Sequence, residues 1–217
     1  ITLWHAPDAR SLRCMWTMEE MGMHDYKLIT MPFPPRVFHR EFLKTNVLGT
    51  IPYFEDGDAA MTESCGSKLC YLVARYGSHL SLSIGPAMPD YASYVNWLHH
   101  ADATLTFPQT IVLRYTVLEA GKCDKAAIDY AKWYLARLRL LDNTLADGRE
   151  YLVGGRFTVA DICVAYALYV AQAFALNLDG IPLVERYKPQ TREYMQRLLQ
   201  RPAFKKCLVL QEKSLQK

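Results

Sequence analysis

One proline, Pro52, constrains the fold of this chain more than any other residue. It follows Thr50 and Ile51 in a short apolar segment. Because proline cannot donate a hydrogen bond to a neighbouring strand, it favours the edge or the start of a strand. A bond before proline also adopts the cis form at low cost, and a cis bond here would turn the backbone N–H and C=O of Ile51 outward. We therefore expect this backbone to be open for pairing with an extended peptide.

A second polar segment, Thr62-Glu63-Ser64, follows after an acidic turn and is expected to open a helix. Ser64 near a helix N-terminus offers a hydroxyl, backbone N–H groups and the positive end of the helix dipole, a combination that suits a carboxylate. Glu63 beside it can bind an ammonium group. The two segments together predict a site for a small zwitterionic peptide, held by its backbone and by its amino-acid head.

Strand and helix patterns alternate over the first 78 residues in the order β-α-β-α-β-β-α, which is typical of a thioredoxin-like domain. The predicted strands cover residues 1–5, 26–31, 52–54 and 59–62, and the predicted helical segments cover 11–21, 40–45 and 64–76. Residues 79–89 contain Gly85-Pro86 and Pro89, and are interpreted as a linker.

From residue 90 onward the apolar period is helical, which predicts an all-helical second domain over 90–217. The predicted helices cover residues 90–118 with a bend at Pro108, 125–146, 158–175, 189–199 and 202–211. The helix at 158–175 is apolar nearly all round, so we expect it at the centre of that domain. Thr158 and Asp161 match a capping box, and we assign both to folding rather than to chemistry.

Charge and cysteine usage exclude several functional classes. A net charge of +3 is too small to indicate nucleic-acid binding, and no apolar run approaches the length of a membrane span. The six cysteines form neither a Cys-x-x-Cys pair nor a metal-binding spacing, so we expect reduced thiols and no metal. The chain begins with a strand pattern rather than a leader pattern. These observations favour a cytoplasmic protein.

The order and spacing of the motifs resemble the cytosolic glutathione transferases over nearly the whole chain, in the manner of a bacterial, theta-like or beta-like member. The resemblance rests on these segments: Ile1–Trp4, Ala6–Ser11, Met18–Gly22, Glu41–Asn46, Thr50–Pro52, Glu63-Ser64 and Gly155–Ile162. It implies a thioredoxin-like domain followed by a helical bundle, glutathione as co-substrate, no metal, and a homodimer. The expected reaction is attack of the glutathione thiolate on a hydrophobic electrophile, with a role in detoxification.

The resemblance also implies which residues hold glutathione. Ile51 would bind it through its backbone with Pro52 enforcing the geometry, and Glu63 and Ser64 would hold the γ-glutamyl head. The groups expected at the glycine end are Thr50, Lys44, His39 and Arg36.

The group that stabilises the thiolate should lie in the turn after the first strand, because a free thiol with a pKa near 8.5 is mostly protonated at pH 7. Ser11 is our preferred donor, although a plain helix N-cap is an alternative role for it. Arg10 or Arg13 could stabilise the anion by charge, and His5 is a further candidate. This turn departs from the family patterns, which carry a tyrosine at the strand end or a serine or cysteine in the turn; the chain has these residues instead: Trp4, His5, Asp8, Ala9 and Arg10.

The electrophile is expected between the two domains, against the long helix of the second. Two neighbouring faces of that helix are candidates. One carries Asn96, His100, Thr104 and Phe107; the other carries Trp97, Ala101, Leu105 and Pro108. We name the first as the predicted substrate pocket, and the sequence leaves open which face lines it.

Two alternatives stay open at this point. The same thiolate could serve a glutathione-dependent isomerase, an ether-cleaving lyase or a dehalogenase. The fold could also act without catalysis, as a binder of hydrophobic ligands or a protein-interaction module.

Overall fold

The computed structural model describes residues 1–215, apart from the side chains of residues 66, 67 and 78. The chain divides into two compact units. The first contains Ile1–Leu82 together with the chain from Gln200 onward, and the second contains Ser83–Leu199. No helix among the described residues is both long enough and apolar enough to cross a membrane.

A four-stranded sheet forms the first unit, in the order β2-β1-β3-β4. Its strands are β1 (Thr2–His5), β2 (Lys27–Thr30), β3 (Tyr53–Asp56) and β4 (Ala59–Met61). β1 pairs in parallel with β2, and the other pairs are antiparallel. Helix α1 (Ser11–Glu20) connects the two parallel strands, as the alternation of patterns predicted. The thioredoxin-like architecture is thus confirmed.

The helical segment predicted at 64–76 consists of two different helices. Ser64–Leu69 is a π-helix, in which the N–H of Lys68 bonds to the carbonyl of Glu63, five residues back (3.3 Å). The chain continues as α-helix α3 (Cys70–Tyr76). A short helix α2 (Pro35–Phe38) and a 3-10 turn (Arg40–Lys44) lie between β2 and β3. The wider winding carries Lys68 to the inside, where it is fully buried.

The second unit is almost entirely helical. Its α-helices are α4 (Tyr91–His99), α5 (Phe107–Leu113), α6 (Asp124–Leu145), α7 (Val159–Ala173) and α8 (Pro189–Leu199). The long helix predicted at 90–118 is interrupted by π-helical segments at His100–Thr106 and Arg114–Leu118, with Pro108 near the start of α5. Before α8 come a small hairpin, β5 (Asn177–Leu178) with β6 (Ile181–Pro182), and a 3-10 turn at Leu183–Arg186.

Helix α7 is the centre of this unit, as predicted, because nearly every one of its side chains is buried. The predicted capping box is present. Thr158 Oγ1 accepts from the N–H of Ala160, and Asp161 accepts from the N–H of Thr158.

The last helix, α9 (Pro202–Leu215), packs on α1 of the first unit, where Phe204 lies 4.8 Å from Trp16 between ring centroids. The sequence grouped residues 90–217 as one helical domain. An amphipathic pattern shows that a helix has a buried face, but it does not show which element covers that face.

Candidate functional site

An apolar cluster in the first unit joins two segments that are far apart in sequence. Its buried members are Ala6, Ala9, Met31, Phe42 and Ile51. Ala6 and Ala9 belong to the turn after β1, and Ile51 precedes Pro52. The turn expected to hold a thiolate and the segment expected to hold a peptide backbone therefore lie side by side.

The Ile51–Pro52 bond is cis, as the sequence analysis anticipated. Within residues 1–215, the backbone N–H and C=O of Ile51 have no hydrogen-bond partner. The preceding loop is fixed by Asn46, whose side chain donates to the carbonyl of Thr50 (2.8 Å) and accepts from the N–H of Leu48 (3.1 Å). This loop thus presents the open backbone of Ile51 on a fixed support.

Two buried cations support the segments around Ile51 and Ser64. Arg13 Nη1 donates to Ser64 Oγ (3.0 Å), and Lys68 Nζ donates to the carbonyl of Pro52 (3.2 Å). The side chains of both Arg13 and Lys68 are fully buried, and Ser64 is 2% exposed. Because a helix N-terminus and a guanidinium both favour negative charge, the surroundings of Ser64 suit a carboxylate.

The remaining predicted glutathione contacts lie at the surface. Glu63 is exposed beside Ser64, which suits a group that binds an ammonium ion. Lys44 is exposed and forms an ion pair with Glu41 (2.5 Å). Arg36 on α2 and His39 directly after α2 are also exposed. An exposed ion pair of this kind is weak, so Lys44 can exchange its partner for a ligand carboxylate at little cost.

Ser11, our preferred thiolate donor, does not present its hydroxyl to a ligand in the structure. The residue is fully buried. Its Oγ lies 2.8 Å from Nδ1 of His5 and 3.5 Å from the carbonyl of Ala6. His5 is also fully buried, so this pair of side chains serves the packing of β1 against α1. The sequence could not distinguish this role, because a serine at the start of a helix looks the same in both cases.

Burial of His5 should make the stability of the fold pH-dependent. Burial lowers the pKa of His5 from 6.5 to about 4. The unfolded chain therefore binds more protons between these values, and the stabilisation is complete above pH 6.5 and is lost as the pH falls towards 4. We expect about 3 kcal/mol of unfolding free energy to be lost over this range.

Denaturant unfolding at a series of pH values measures this effect, with His5→Gln as the comparison. The variant should show a flatter pH dependence between pH 4 and 6.5. Parallel curves for the two proteins would show that His5 is not the titrating group.

Arg10 is half-buried and directly precedes α1, and Asp8 in the same turn has a left-handed backbone (φ +57°). The permanent charge of Arg10 and the positive N-terminal end of α1 can each stabilise an anion at this turn. Cys14, in the middle of α1, is no substitute nucleophile, because burial raises the pKa of its thiol to about 11.

The two candidate faces of the long helix in the second unit differ in burial. Trp97, Ala101, Leu105 and Pro108 are buried and pack into the unit. Of the other face, His100, Thr104 and Phe107 line a cavity of about 410 Å³ together with Trp133 and Leu140 of α6. Asn96 is exposed and does not line it. This cavity lies within the second unit.

Two residues at the site were missed by sequence reasoning, Lys68 and Gln211. Gln211 contacts the turn after β1 from α9. A lysine in the apolar pattern of a helix was the available signal for Lys68. No signal in the sequence indicated a role for Gln211.

No group of three or more potential metal ligands occurs in the part of the chain that the structure describes.

Comparison with known proteins agrees with this geometry. The family profiles for the glutathione S-transferase N-terminal domain and C-terminal domain match residues 1–65 and 124–202. The chain is 29% identical to glutathione S-transferase GstB of Escherichia coli over 216 residues, which are 97% of this chain and 98% of GstB.

Solved structures show the same fold. Glutathione transferase URE2P6 of Phanerochaete chrysosporium, in complex with oxidized glutathione, is 26% identical with a TM-score of 0.81, over 98% of this chain and 96% of that one. URE2P8 from the same organism is 21% identical with a TM-score of 0.84, over 100% and 96% of the two chains. With both family profiles in order along one chain, and with relatives matched over nearly their full length, the protein belongs to the glutathione S-transferase family.

Proposed function

We propose that this glutathione transferase binds glutathione on its first unit and directs the thiolate at a hydrophobic electrophile. The observation that carries the proposal is the buried Arg13–Ser64 hydrogen bond next to a helix N-terminus, in the same unit as the open backbone of Ile51. A charged carboxylate receptor and an unpaired peptide backbone are the two features that a γ-glutamyl tripeptide requires.

Each part of glutathione has a partner in this proposal. The cysteinyl backbone pairs with Ile51, the γ-glutamyl carboxylate binds Ser64 in front of Arg13, and the ammonium group binds Glu63. The glycine carboxylate is bound by the cationic residues Lys44, His39 and Arg36, with Thr50 nearby in sequence. The electrophile is proposed to contact Asn96, His100, Thr104 and Phe107.

The thiolate is proposed to lie at the turn of residues 8–10. Because the Ser11 hydroxyl is bonded within the protein, stabilisation comes from the guanidinium of Arg10 and from the N-terminal end of α1. Lowering the thiol pKa by one unit needs only about 1.4 kcal/mol of preference for the anion. A permanent charge close to the sulfur supplies this amount.

Glutathione binding is tested by replacing Glu63 with glutamine. We expect the Kd for glutathione to rise about 10- to 100-fold, because a charge-assisted hydrogen bond contributes about 1.5–3 kcal/mol. Isothermal titration calorimetry measures the change. Asp58→Asn, in the exposed turn between β3 and β4, is the matched control and should bind like the wild type. Absence of any binding to the wild-type protein would end the proposal.

A second function, ligand binding without catalysis, is favoured by one observation: the hydroxyl of Ser11 is hydrogen-bonded within the protein, to Nδ1 of His5. A panel of electrophiles separates the two functions, because a transferase forms thioether conjugates and a binder leaves glutathione unchanged. An isomerised substrate with glutathione regenerated would instead identify an isomerase, and oxidised glutathione would point to lyase or dehalogenase chemistry.

The resemblance also suggests a homodimer and a cytoplasmic role in detoxification. Exposed aliphatic side chains of the second unit that do not line the cavity, among them Val117, Leu118 and Ile128, offer apolar surface for a dimer contact. Sedimentation velocity decides the oligomeric state.

A further inference from the structure

The turn that follows β1 has an uncommon backbone at Asp8. Its φ of +57° lies in the left-handed region, which residues other than glycine enter at a cost. Aspartate and asparagine tolerate this conformation better than other side chains do. Contacts from outside the turn can offset this cost.

Gln211 of α9 supplies such a contact with both ends of its amide. The backbone N–H of Asp8 donates to Gln211 Oε1 (3.2 Å), and Gln211 Nε2 donates to Asp8 Oδ1 (2.9 Å). The two residues are 203 positions apart, and Gln211 is 6% exposed. A primary amide is the side chain that can donate and accept in this way at once. Both hydrogen bonds are partly buried.

Helix α9 is itself anchored to the far end of α1. Arg201 contacts both carboxylate oxygens of Glu20 (2.6 and 2.8 Å), and Lys206 lies 2.7 Å from Glu19. From this anchored end, α9 extends along α1 to the turn at Asp8. The position of Gln211 is thus set by a rigid element and not by a loop.

We propose that Gln211 is a positioning residue of the thiolate site, holding the turn of residues 8–10 from the last helix. This inference rests on the proposed function, since it assumes that the turn presents Arg10 and the first N–H groups of α1 to the glutathione sulfur. Electrostatic stabilisation depends on fixed geometry, and a shift of the turn weakens it.

Three variants test this role. Gln211→Met removes both hydrogen bonds at similar side-chain size. Gln211→Glu places a second carboxylate against Asp8 Oδ1. The double variant Asp8→Asn with Gln211→Glu restores the pair, because the new amide in the turn donates to the new carboxylate on α9 and the backbone N–H of the turn keeps its acceptor. It also has the wild-type net charge, and asparagine tolerates the left-handed backbone.

The pH dependence of thiolate formation in bound glutathione, followed by ultraviolet absorbance, is the decisive measurement. We expect both single variants to raise the midpoint by about one pH unit, equivalent to a tenfold decrease of the thiol ionisation constant. The double variant should return to within about twofold of the wild type. Glu212→Gln, one position along the same helix and exposed, is the control and should match the wild type.

The outcomes separate this inference from the proposed function. If the wild-type protein binds no glutathione, the proposed function fails. If it binds and ionises glutathione but both single variants keep the wild-type midpoint, only the role of Gln211 is overturned. If the single variants shift the midpoint and the double variant does not recover, the reciprocal pair is not the cause, and the inference is also overturned. Gln211→Met decides the matter if Gln211→Glu does not fold.

Discussion

Replacing Asp161 by alanine should lower the free energy of unfolding by about 4 kcal/mol, the largest effect on stability that we expect from one substitution. Its carboxylate accepts from the N–H groups of Leu152 (3.0 Å) and Thr158 (2.9 Å), and from the hydroxyl of Tyr194 (2.9 Å). All of these partners are buried and almost inaccessible to solvent. The hydroxyl of Thr158 also donates to this carboxylate (3.3 Å), so alanine would leave four buried donors unsatisfied and would remove half of the capping box of α7.

Burial raises the pKa of Asp161 to about 6, whereas its hydrogen bonds favour the ionised form. We therefore expect the carboxylate to be charged at neutral pH. Asp161→Asn should also destabilise the protein. Its amide NH₂ group would replace one of the two carboxylate oxygens and would face the donors that this oxygen accepts from.

Chemical denaturation with Tyr194→Phe and Asp129→Asn completes this experiment. Tyr194→Phe removes only one of the four donors and should cost about 1 kcal/mol. Asp129→Asn, on the exposed face of α6, should leave the unfolding midpoint unchanged. A loss for Asp161→Ala no larger than that of Tyr194→Phe would contradict the assigned role.

Replacing Arg13 by methionine should raise the Kd for glutathione about 100-fold, the largest effect on binding that we expect. Through the Ser64 hydroxyl, the guanidinium would lie roughly 6 Å from the γ-glutamyl carboxylate, where a unit charge contributes about 3 kcal/mol at an effective dielectric constant of about 20. In the proposed complex, Arg13 supports Ser64 at the γ-glutamyl end of glutathione and not at the sulfur. Its removal should therefore raise the KM for glutathione while kcat at saturation changes little.

Arg13→Lys is the matched variant, since it keeps the charge and loses the planar geometry. It should recover part of the affinity. Because Arg13 is buried, the comparison uses folded protein as judged by circular dichroism and the unfolding midpoint. An Arg13→Met protein that is folded and keeps the wild-type Kd would show that the charge does not face the ligand.

The segments that the sequence predicted well share a local physical cause. The Ile51–Pro52 bond, the capping box of Thr158 with Asp161, and the apolar helix α7 each depend on residues within one or two turns of each other. Features of this kind depend little on the rest of the tertiary structure. The same holds for the order of strands and helices in the first unit.

The turn after β1 shows why the roles of individual site residues were not predictable from the sequence. Ser11 fitted both a helix N-cap and a ligand donor, and only the tertiary structure shows that its hydroxyl contacts His5. The winding of the helix at 64–76 was not predictable either. Apolar spacing predicted a helix there but not its π-helical start, which places Lys68 inside the unit and within hydrogen-bond distance of the carbonyl of Pro52.

The sequence alone determined the thioredoxin-like order of elements and the central capped helix, because neighbouring residues determine these features. Tertiary structure alone decided that Arg13 supports Ser64, that Lys68 bonds to Pro52, and that α9 reaches the turn at Asp8 through Gln211. The physical reason is that a buried polar side chain must find its partner in three dimensions, and that partner can lie 203 residues away along the chain.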